Sequence, residues 1–449
     1  MAMLQHRITR RQLLNGLGGT ALLSFLGKAN AFAQNTPPDY KALVCIFLSG
    51  GNDSHNMIVP LTQAEFNAYK AARGSLALPD GNGALLPVVT PENVPFGLNP
   101  GLLAIHPLWA GGQLAVLANT GMLVQPVTRP QFLASAVPVP TNLFSHADQI
   151  QQMQSGIPST SGGTGWGARA ADIVQTLNGT SSFPATVSIS GPALFCNGKV
   201  VQSASLYPGF NLDMDGMSLW PQSAADARKL GVQQVLQFDS GMELIQAANH
   251  VRQDAIALNA MLTGQSATLA TTFPGTTIGN QLQQVAKIIK LRSSTGMSRQ
   301  VFFCSLGGFD THGAQSWQQW NLLREVSEAL AAFYNATGEL GVADRVTAFT
   351  LSDFGRTLQP SGTGSDHGWG SHHLILGGAV QGGRVYGTFP QMALGGPDDA
   401  GSRGALIPST ATDQYGSTLA RWFGVPAAQL PAVFPNIAQF GTADLGFMG

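Results

Sequence analysis

The sequence predicts an α/β protein with a doubly wound, mainly parallel sheet and helices on both faces. Two observations lead to this prediction. Continuous apolar runs such as KALVCIFLSG (41–50) are bounded by glycine and polar residues, as is typical of strands buried on both faces of a parallel sheet. Stretches with helical periodicity alternate with these runs, and this alternation favours parallel strands joined by helices.

The N-terminal part of the predicted domain has a β-α-β order. The first strand (41–50) is followed by a polar loop and by a helix-like segment, TQAEFNAYKAAR (62–73). A loop rich in proline and glycine then leads to a predicted helix at 100–110 and to a second strand, QLAVLAN (113–119). This order is the basic unit of a parallel sheet.

The middle of the chain contains a change of pattern. GARAADIVQTL (167–177) predicts a helix, whereas residues 184–222 lack helical periodicity and predict a loop- and strand-rich insertion or cap. Helices dominate again over 223–292. The last of them, IGNQLQQVAKIIKLR (278–292), has an apolar face that we expect to pack on the sheet.

Three further strands are predicted in the C-terminal part. They are QVFFCSL (300–306), RVTAFTL (345–351) and HLILGGAV (373–380), and a long helix at 315–337 separates the first two. Strands and helices in this alternation complete the prediction of a mainly parallel sheet.

Composition excludes some classes of partner. The formal charge is -1 and no basic run follows residue 30, which argues against a nucleic-acid partner or an anionic lipid surface. Cys45, Cys196 and Cys304 cannot all pair with one another, and Cys45 and Cys304 sit in apolar runs. We therefore expect buried thiols rather than a disulfide.

The N-terminus predicts export. ITRRQLLNGLGGTALLSFLGKANAFAQ contains twin arginines, Arg10 and Arg11, followed by a glycine-rich apolar stretch and a small-x-small cleavage pattern. Residues 1–33 are predicted to be a twin-arginine export signal and 34–449 a single domain, periplasmic or secreted. The apolar stretch is too short for a stable membrane span, although a retained anchor is an alternative.

Carboxylates follow three of the predicted strands, at Asp53, Asp310 and Asp353. The carboxyl ends of parallel strands lie side by side, so we expect these aspartates to converge on one rim of the sheet. Like charges at such a rim repel one another unless a cation neutralises them. The sequence therefore predicts a divalent metal.

Histidines are concentrated in one short segment of the C-terminal part of the sequence. SDHGWGSHH (365–373) places Asp366, His367 and His372 just before the last predicted strand, together with His373. His312 is separated from Asp310 by one residue, so both can face the same way on an extended segment. Neutral imidazole and carboxylate are common ligands of divalent metals.

A serine stands where a helix is predicted to begin, in LFSHADQIQQMQSG (143–156). Ser145, with Asp148 three residues later, fits a helix N-cap. It equally fits a nucleophile placed at a helix N-terminus, where the dipole stabilises an anion. The sequence leaves both roles open.

Several motifs resemble a known family. They are SGGNDSHNMIVPL, NLFSHADQ, GGFDTHGAQ, SDFGRT with GSDHGWGSHH, GGRVYG and DQYGSTLARWFG. In this order, behind a twin-arginine signal, they resemble bacterial proteins of domain of unknown function 1501 over nearly all of the mature chain. That family is considered a distant member of the alkaline phosphatase and sulfatase superfamily. The resemblance implies an alkaline phosphatase-like fold holding one or two divalent metals.

The resemblance also implies roles for particular residues. Asp53 resembles the metal ligand after the first strand, Ser145 the nucleophile, and Asp310 with His312 a later metal-binding pair. The next strand of the superfamily ends in Asp-His, whereas here it ends in Asp353 and Phe354. The missing imidazole is a departure that His146, His55 or His367 can fill. The last ligand resembles His367 or His372, with His373 a weaker candidate.

The function implied by the resemblance is metal-dependent hydrolysis of a phosphate or sulfate ester, small or polymeric. Arg356 would hold the oxyanion, or instead form a buried salt bridge to an aspartate. Zinc is the first expectation for the metal, with calcium, magnesium or manganese as alternatives. A non-catalytic exported protein that binds a polymer or a protein partner is the competing hypothesis, favoured by the missing Asp-His pair.

Overall fold

A computed structural model describes residues 39–79, 84–159, 163–181, 183–201, 203–208, 216–238, 241–263 and 268–449. The predicted export signal, with Arg10 and Arg11, lies outside these ranges. Within them, no helix combines the length and apolar character that a membrane span needs.

The strands are short to medium in length and are numbered in chain order. They are β1 Lys41–Leu48, β2 Ile58–Pro60, β3 Leu86–Val89, β4 Pro95–Leu98, β5 Leu114–Gly121, β6 Thr186–Ser188, β7 Ser203–Ser205, β8 Arg299–Leu306, β9 Val346–Ser352, β10 Arg356–Ser361, β11 Gly364–His367, β12 Ser371–Leu376, β13 Val385–Tyr386 and β14 Thr410–Ala411.

The helices fill the connections between strands. They are α1 Gln63–Arg73, α2 Pro107–Ala110, α3 Arg129–Leu133, α4 His146–Ser155, α5 Trp166–Val174, α6 Gln222–Leu236, α7 Glu243–Thr263, α8 Thr277–Lys290, α9 Arg292–Thr295, α10 Gln315–Glu339, α11 Thr412–Phe423 and α12 Leu430–Val433.

Within the described ranges, the main sheet has nine strands in the order β13-β5-β12-β9-β1-β8-β6-β7, with β14 also paired to β5. All pairings are parallel except those of β12, which runs antiparallel to both β5 and β9. The carboxyl ends of the parallel strands therefore meet at one rim, and the amino end of β12 starts at the same rim. This reversal places the residues before Ser371 beside the ends of β1, β8 and β9.

Helices cover both faces of this sheet, as predicted. Side chains of β1 alternate between two apolar clusters, with Val44 and Ile46 on one face and Leu43 and Cys45 on the other. Helices α8 and α10 pack on the first face, and α5 and α11 on the second. Every residue of β1 except Lys41 is buried, which explains its continuous apolar sequence.

The remaining strands border the main sheet or extend it. Residues 184–222, predicted as an insertion or cap, contribute β6 and β7 to one edge of the main sheet. Strands β2, β3 and β4 form a separate antiparallel sheet, and β10 pairs with β11 as a hairpin. The three cysteines are free and buried, as expected.

A buried carboxyl group in α11 predicts pH-dependent stability. Burial raises the pKa of Asp413 to about 7, although backbone N–H groups and Arg169 act in the opposite direction. Because the unfolded chain ionises near the ordinary value of 3.8, folding loses stability from this group as the pH rises from about 4 to 7. Asp413→Asn is therefore expected to raise the free energy of unfolding at pH 8 by on the order of 3 kcal/mol.

Urea unfolding at pH 4 and pH 8 tests this expectation. The gain should vanish at the lower pH, and the exposed Asp226→Asn variant should show no gain at either. An equal gain in the free energy of unfolding at pH 4 and pH 8 would instead show that the effect comes from packing.

Candidate metal centre

Three separate elements meet at the carboxyl rim of the sheet. The loop after β8 carries Asp310 and His312, the first residue of α4 is His146, and the last residue of β11 is His367. The antiparallel direction of β12 brings β11 to this rim. The structure thus assembles residues that are more than 220 positions apart in the chain.

The donor atoms of these residues lie close together. His367 Nε2 is 3.1 Å from both His146 Nε2 and His312 Nε2, and 3.4 Å from Asp310 Oδ1. The Asp310 oxygen is 2.9 Å from His312 Nε2 and 3.5 Å from His146 Nε2. Ligands held by a tetrahedral zinc ion at about 2.1 Å are about 3.4 Å apart, so the spacing fits one ion.

The outer nitrogen of each ring has an acceptor. His146 Nδ1 donates to Asp353 Oδ2 at 2.7 Å, and His367 Nδ1 donates to the Phe144 carbonyl at 2.7 Å, because neither partner can donate. His312 Nδ1 faces Asp366 Oδ1 at 3.6 Å. In the neutral rings of His146 and His367, the proton is therefore on Nδ1, and the Nε2 lone pair points into the cluster.

Two lone pairs 3.1 Å apart repel each other unless a cation lies between them. A proton on His146 or a metal ion bound to both rings would satisfy them. The hydrogen bond with Asp353 raises the pKa of His146, whereas burial lowers the pKa of His367, so the second ring stays neutral as a metal ligand must. His146, Asp310 and His367 form the group that can hold a metal among the described residues, with all ligand atoms within 4.8 Å.

Arg356 holds the carboxylate of the candidate cluster. Its buried guanidinium donates to Asp310 Oδ1 at 3.0 Å, and also to the backbone carbonyls of Gly50 and Ser365. Burial alone would raise the pKa of Asp310, but the hydrogen bond and charge of Arg356 outweigh it and lower the pKa. Its donors are turned to these partners, which agrees with the alternative of a buried salt bridge to an aspartate. Oxyanion binding by Arg356 stays a prediction.

Gly50 fixes the position of the aspartates. It has φ +117°, and a Cβ there would lie 2.4 Å from the backbone nitrogen of Asp310. Its own N–H donates to Asp353 Oδ1 at 3.1 Å. A glycine is thus required for this close approach. Asp353, predicted as a metal ligand, instead uses one oxygen for Gly50 and the other for His146, and so orients His146.

Asp53 lies outside the cluster, contrary to the expectation that three aspartates converge. It is fully buried and paired with Arg73, and it also accepts a hydrogen bond from Gln315. The charge that we expected a metal to neutralise at this position is neutralised by a guanidinium. Helix α1 ends at Arg73, and its guanidinium reaches Asp53 in the loop after β1.

Two other predicted ligands also lie apart from the cluster. His372 Nδ1 accepts the N–H of Asn119 at 2.9 Å, so its proton sits on Nε2 and the ring cannot bind a metal as it stands. Burial lowers the pKa of this ring and that of His373, which stacks on Tyr415. Asp366 pairs with Arg403 at 2.5 Å and reaches the cluster only through His312.

Ser145 is the N-cap of α4, directly before His146. Its hydroxyl donates to Asp148 Oδ2 at 2.6 Å, and Asn142 donates to the other oxygen of Asp148 at 3.1 Å. These hydrogen bonds lower the pKa of Asp148. The structure therefore agrees with the N-cap position and leaves the nucleophilic role as a proposal.

His146 was only an alternative from sequence, as a substitute for the missing imidazole after Asp353. Phe354 stands where the resemblance implied a histidine, and its ring packs 4.8 Å from the rings of both His146 and His367. The available signal was a histidine directly after the candidate nucleophile in NLFSHADQ. Its position beside Asp353 depends on the packing of α4 against the rim.

Replacing Asp353 with asparagine is expected to weaken metal binding about 10- to 100-fold. With its oxygen on Gly50, the amide would donate to His146 Nδ1 and force the proton onto Nε2, which removes the lone pair from the cluster. Competition with a chromogenic chelator measures the affinity. Asp366→Asn, which faces a half-exposed ring at a longer distance, is the control and should lose less; an equal loss in both variants would contradict this role of Asp353.

Comparison with known proteins places the chain in a family. A family model described as "Protein of unknown function (DUF1501)" matches residues 103–407, more than half of the chain. The chain belongs to the DUF1501 family. The DUF1501 match includes His146, Asp310 and His367, so all three candidate metal ligands lie inside the matched region. No curated protein matches the chain in sequence.

Solved structures show only distant likenesses. A sulfatase, PsFucS1 from Pseudoalteromonas sp., aligns with a TM-score of 0.37 and 12% identity over 91% of this chain and 72% of that chain. The lipoteichoic acid synthase LtaP from Listeria monocytogenes aligns with a TM-score of 0.34 and 7% identity over 89% of this chain and 78% of its own. At such scores the likenesses carry no inference about the activity of this DUF1501 chain.

Proposed function

We propose that this protein is a metal-dependent hydrolase of phosphate or sulfate esters. The observation that supports it most is the convergence of imidazole lone pairs on the half-exposed Asp310, at a rim that solvent reaches. A purely structural site would be expected to be enclosed, whereas this one is open on the side of Asp310 and His312.

The donor set favours zinc. Imidazole nitrogens with one carboxylate suit zinc, whereas calcium and magnesium are bound mainly by oxygen. A divalent ion bound there would polarise an ester oxygen and lower the pKa of water. The chain's own contribution is to hold His146 through Asp353, His367 through the Phe144 carbonyl, and Asp310 through Arg356.

Ser145 is the proposed nucleophile. It precedes the ligand His146, and its hydroxyl proton points at Asp148, which is thereby placed to accept it. The first turn of α4 presents backbone N–H groups that favour an anionic group in front of the helix.

We also propose that the chain acts outside the cytoplasm. The twin arginines and the cleavage pattern support removal of residues 1–33 and a single domain over 34–449. The twin-arginine route carries folded proteins, so the metal can be bound before export.

Elemental analysis of the purified protein, combined with a panel of phosphate and sulfate esters, tests the proposal. One bound zinc per chain and hydrolysis that is lost on chelation and restored by zinc are expected. Ser145→Ala should remove turnover but keep the metal. A metal-free protein that hydrolyses none of the esters would contradict the proposal.

A non-catalytic binding protein is the second candidate. The observation that favours it is the role of Arg356, which faces Asp310 and backbone carbonyls instead of the space in front of the cluster. In that case the protein would contain metal but hydrolyse no ester in the panel, and Ser145→Ala would change nothing measurable.

A further inference from the structure

Helices α6 and α7 lie between β7 and α8, in a connection that leaves the carboxyl end of β7. Strand β7 lies at one edge of the sheet, three strands from β1. Because β7, β6, β8 and β1 are parallel, the carboxyl end of β7 lies at the rim that carries the candidate metal cluster. The helix pair, residues 219–263, leaves the sheet from this rim. In α6 the one buried residue is Ala225. Most of the surface of α6 therefore faces solvent, and residues 243–250 of α7 are exposed or half-buried.

The exposed surface of the helix pair is strongly apolar. Large apolar side chains that are 40–90% exposed cluster there within 27 residues, with Trp220 the most exposed of them. The members used in this argument are Leu219, Trp220, Leu230, Val235, Phe238, Leu244 and Ile245. Tryptophan is usually largely buried, and a concentration of exposed large apolar side chains such as this one marks an interaction site in soluble proteins.

The size of this surface fits a protein interface. Seven large side chains at these exposures present roughly 1,000 Å² per copy, and a stable interface buries about 800 Å² per partner. A 15-residue helix such as α6 is also marginal in water without tertiary packing. Covering its exposed face would supply packing that the rest of the described chain does not.

The net charge of the helix pair distinguishes between a membrane surface and a second copy of the chain as its partner. The sequence 219–263 contains three basic residues, Arg228, Lys229 and Arg252, against four acidic residues. There is no basic excess to attract an anionic membrane. A two-fold axis brings the same surface of two copies together, so a large net charge on that surface would make the copies repel each other. The helix pair has a net charge close to zero and avoids this repulsion.

We propose that a second copy of this chain covers the helix pair, so that the protein is a two-fold symmetric dimer with α6 and α7 of both copies in one helical bundle. The dimer interface would lie on the rim that carries His367 and Asp310. This proposal does not depend on the proposed hydrolytic function.

Sedimentation equilibrium of the full chain over a range of concentrations tests the proposal. The double variant Val235→Glu/Leu244→Glu adds like charges to the same surface of both copies and is expected to be monomeric. The matched control, Leu103→Glu/Leu133→Glu, changes two exposed leucines outside the helix pair and should remain dimeric. Circular dichroism melting shows whether each variant is folded.

Iodide quenching gives a second measurement that needs no charged variant. The fluorescence difference between the parent and Trp220→Phe reports on Trp220, which is expected to be shielded in the dimer and to become accessible on dilution. A monomeric parent at all concentrations, or a double variant that is still a dimer, would overturn the proposal. Binding of the parent to phospholipid vesicles through the helix pair would overturn it in favour of a membrane surface.

Discussion

Replacement of His367 with alanine is expected to lower the affinity for zinc by more than about 100-fold, because even partners behind a metal ligand contribute 10- to 100-fold. His367 Nε2 lies 3.1 Å from two imidazole nitrogens and 3.4 Å from Asp310 Oδ1. Its removal leaves two of the three residues in the group that can hold a metal, His146 and Asp310. Ester hydrolysis should be lost with the metal.

Elemental analysis after dialysis against a chelator measures this loss. His250→Ala, which removes an exposed histidine on α7, is the control and should keep both metal and activity. Normal zinc content in His367→Ala would show that the cluster around Asp310 is not the metal site.

Replacement of Arg73 with methionine is expected to lower the free energy of unfolding by about 3–5 kcal/mol, because it leaves the buried Asp53 carboxylate without its cation. Both side chains are fully buried, and Arg73 also donates to Asn56 and to the Thr357 and Leu358 carbonyls at 3.0–3.2 Å. The methionine keeps the apolar stem while removing the charge.

Urea unfolding compares Arg73→Met with the double variant Asp53→Asn/Arg73→Met. The double variant should lose less, since it removes the unpaired charge as well. Arg324→Met is the matched control, because Arg324 forms a half-exposed i,i+4 pair with Glu328 that contributes less than about 0.5 kcal/mol. An equal loss in Arg73→Met and Arg324→Met would contradict the importance of the buried pair.

Much of the fold could be predicted because its signals are local. The apolar runs that became β1, β8 and β9 are each buried along most of their length, and the apolar face of α8 carries the expected Leu282 and Val285. The direction of β12 could not be predicted in this way. An apolar run has the same pattern whether its strand is parallel or antiparallel to its neighbours. The direction of β12 depends on the strands with which it pairs in the sheet.

The candidate site was predictable in part. Asp310 and His312 lie after a buried strand, where the general rule for parallel sheets expects ligands. His146 could not be assigned with them, because its place depends on how α4 packs against the rim. Asp53 has the same sequence signal as Asp310, yet it is fully buried against Arg73, whereas Asp310 is half exposed beside His312 and His367. No spacing rule distinguishes these two environments.

The sequence by itself determined the mainly parallel sheet, the helices on its faces and the concentration of carboxylates and imidazoles near strand ends. The tertiary structure decided which of these donors meet, since His146, Asp310 and His367 come from three distant segments. It also decided their protonation, because Asp353 and the Phe144 carbonyl hold the Nδ1 protons. The physical reason is that the apolar pattern of a strand or helix is set by residues close together in the sequence. A metal site depends instead on the directions of lone pairs, which residues distant in the sequence set by their contacts in the fold.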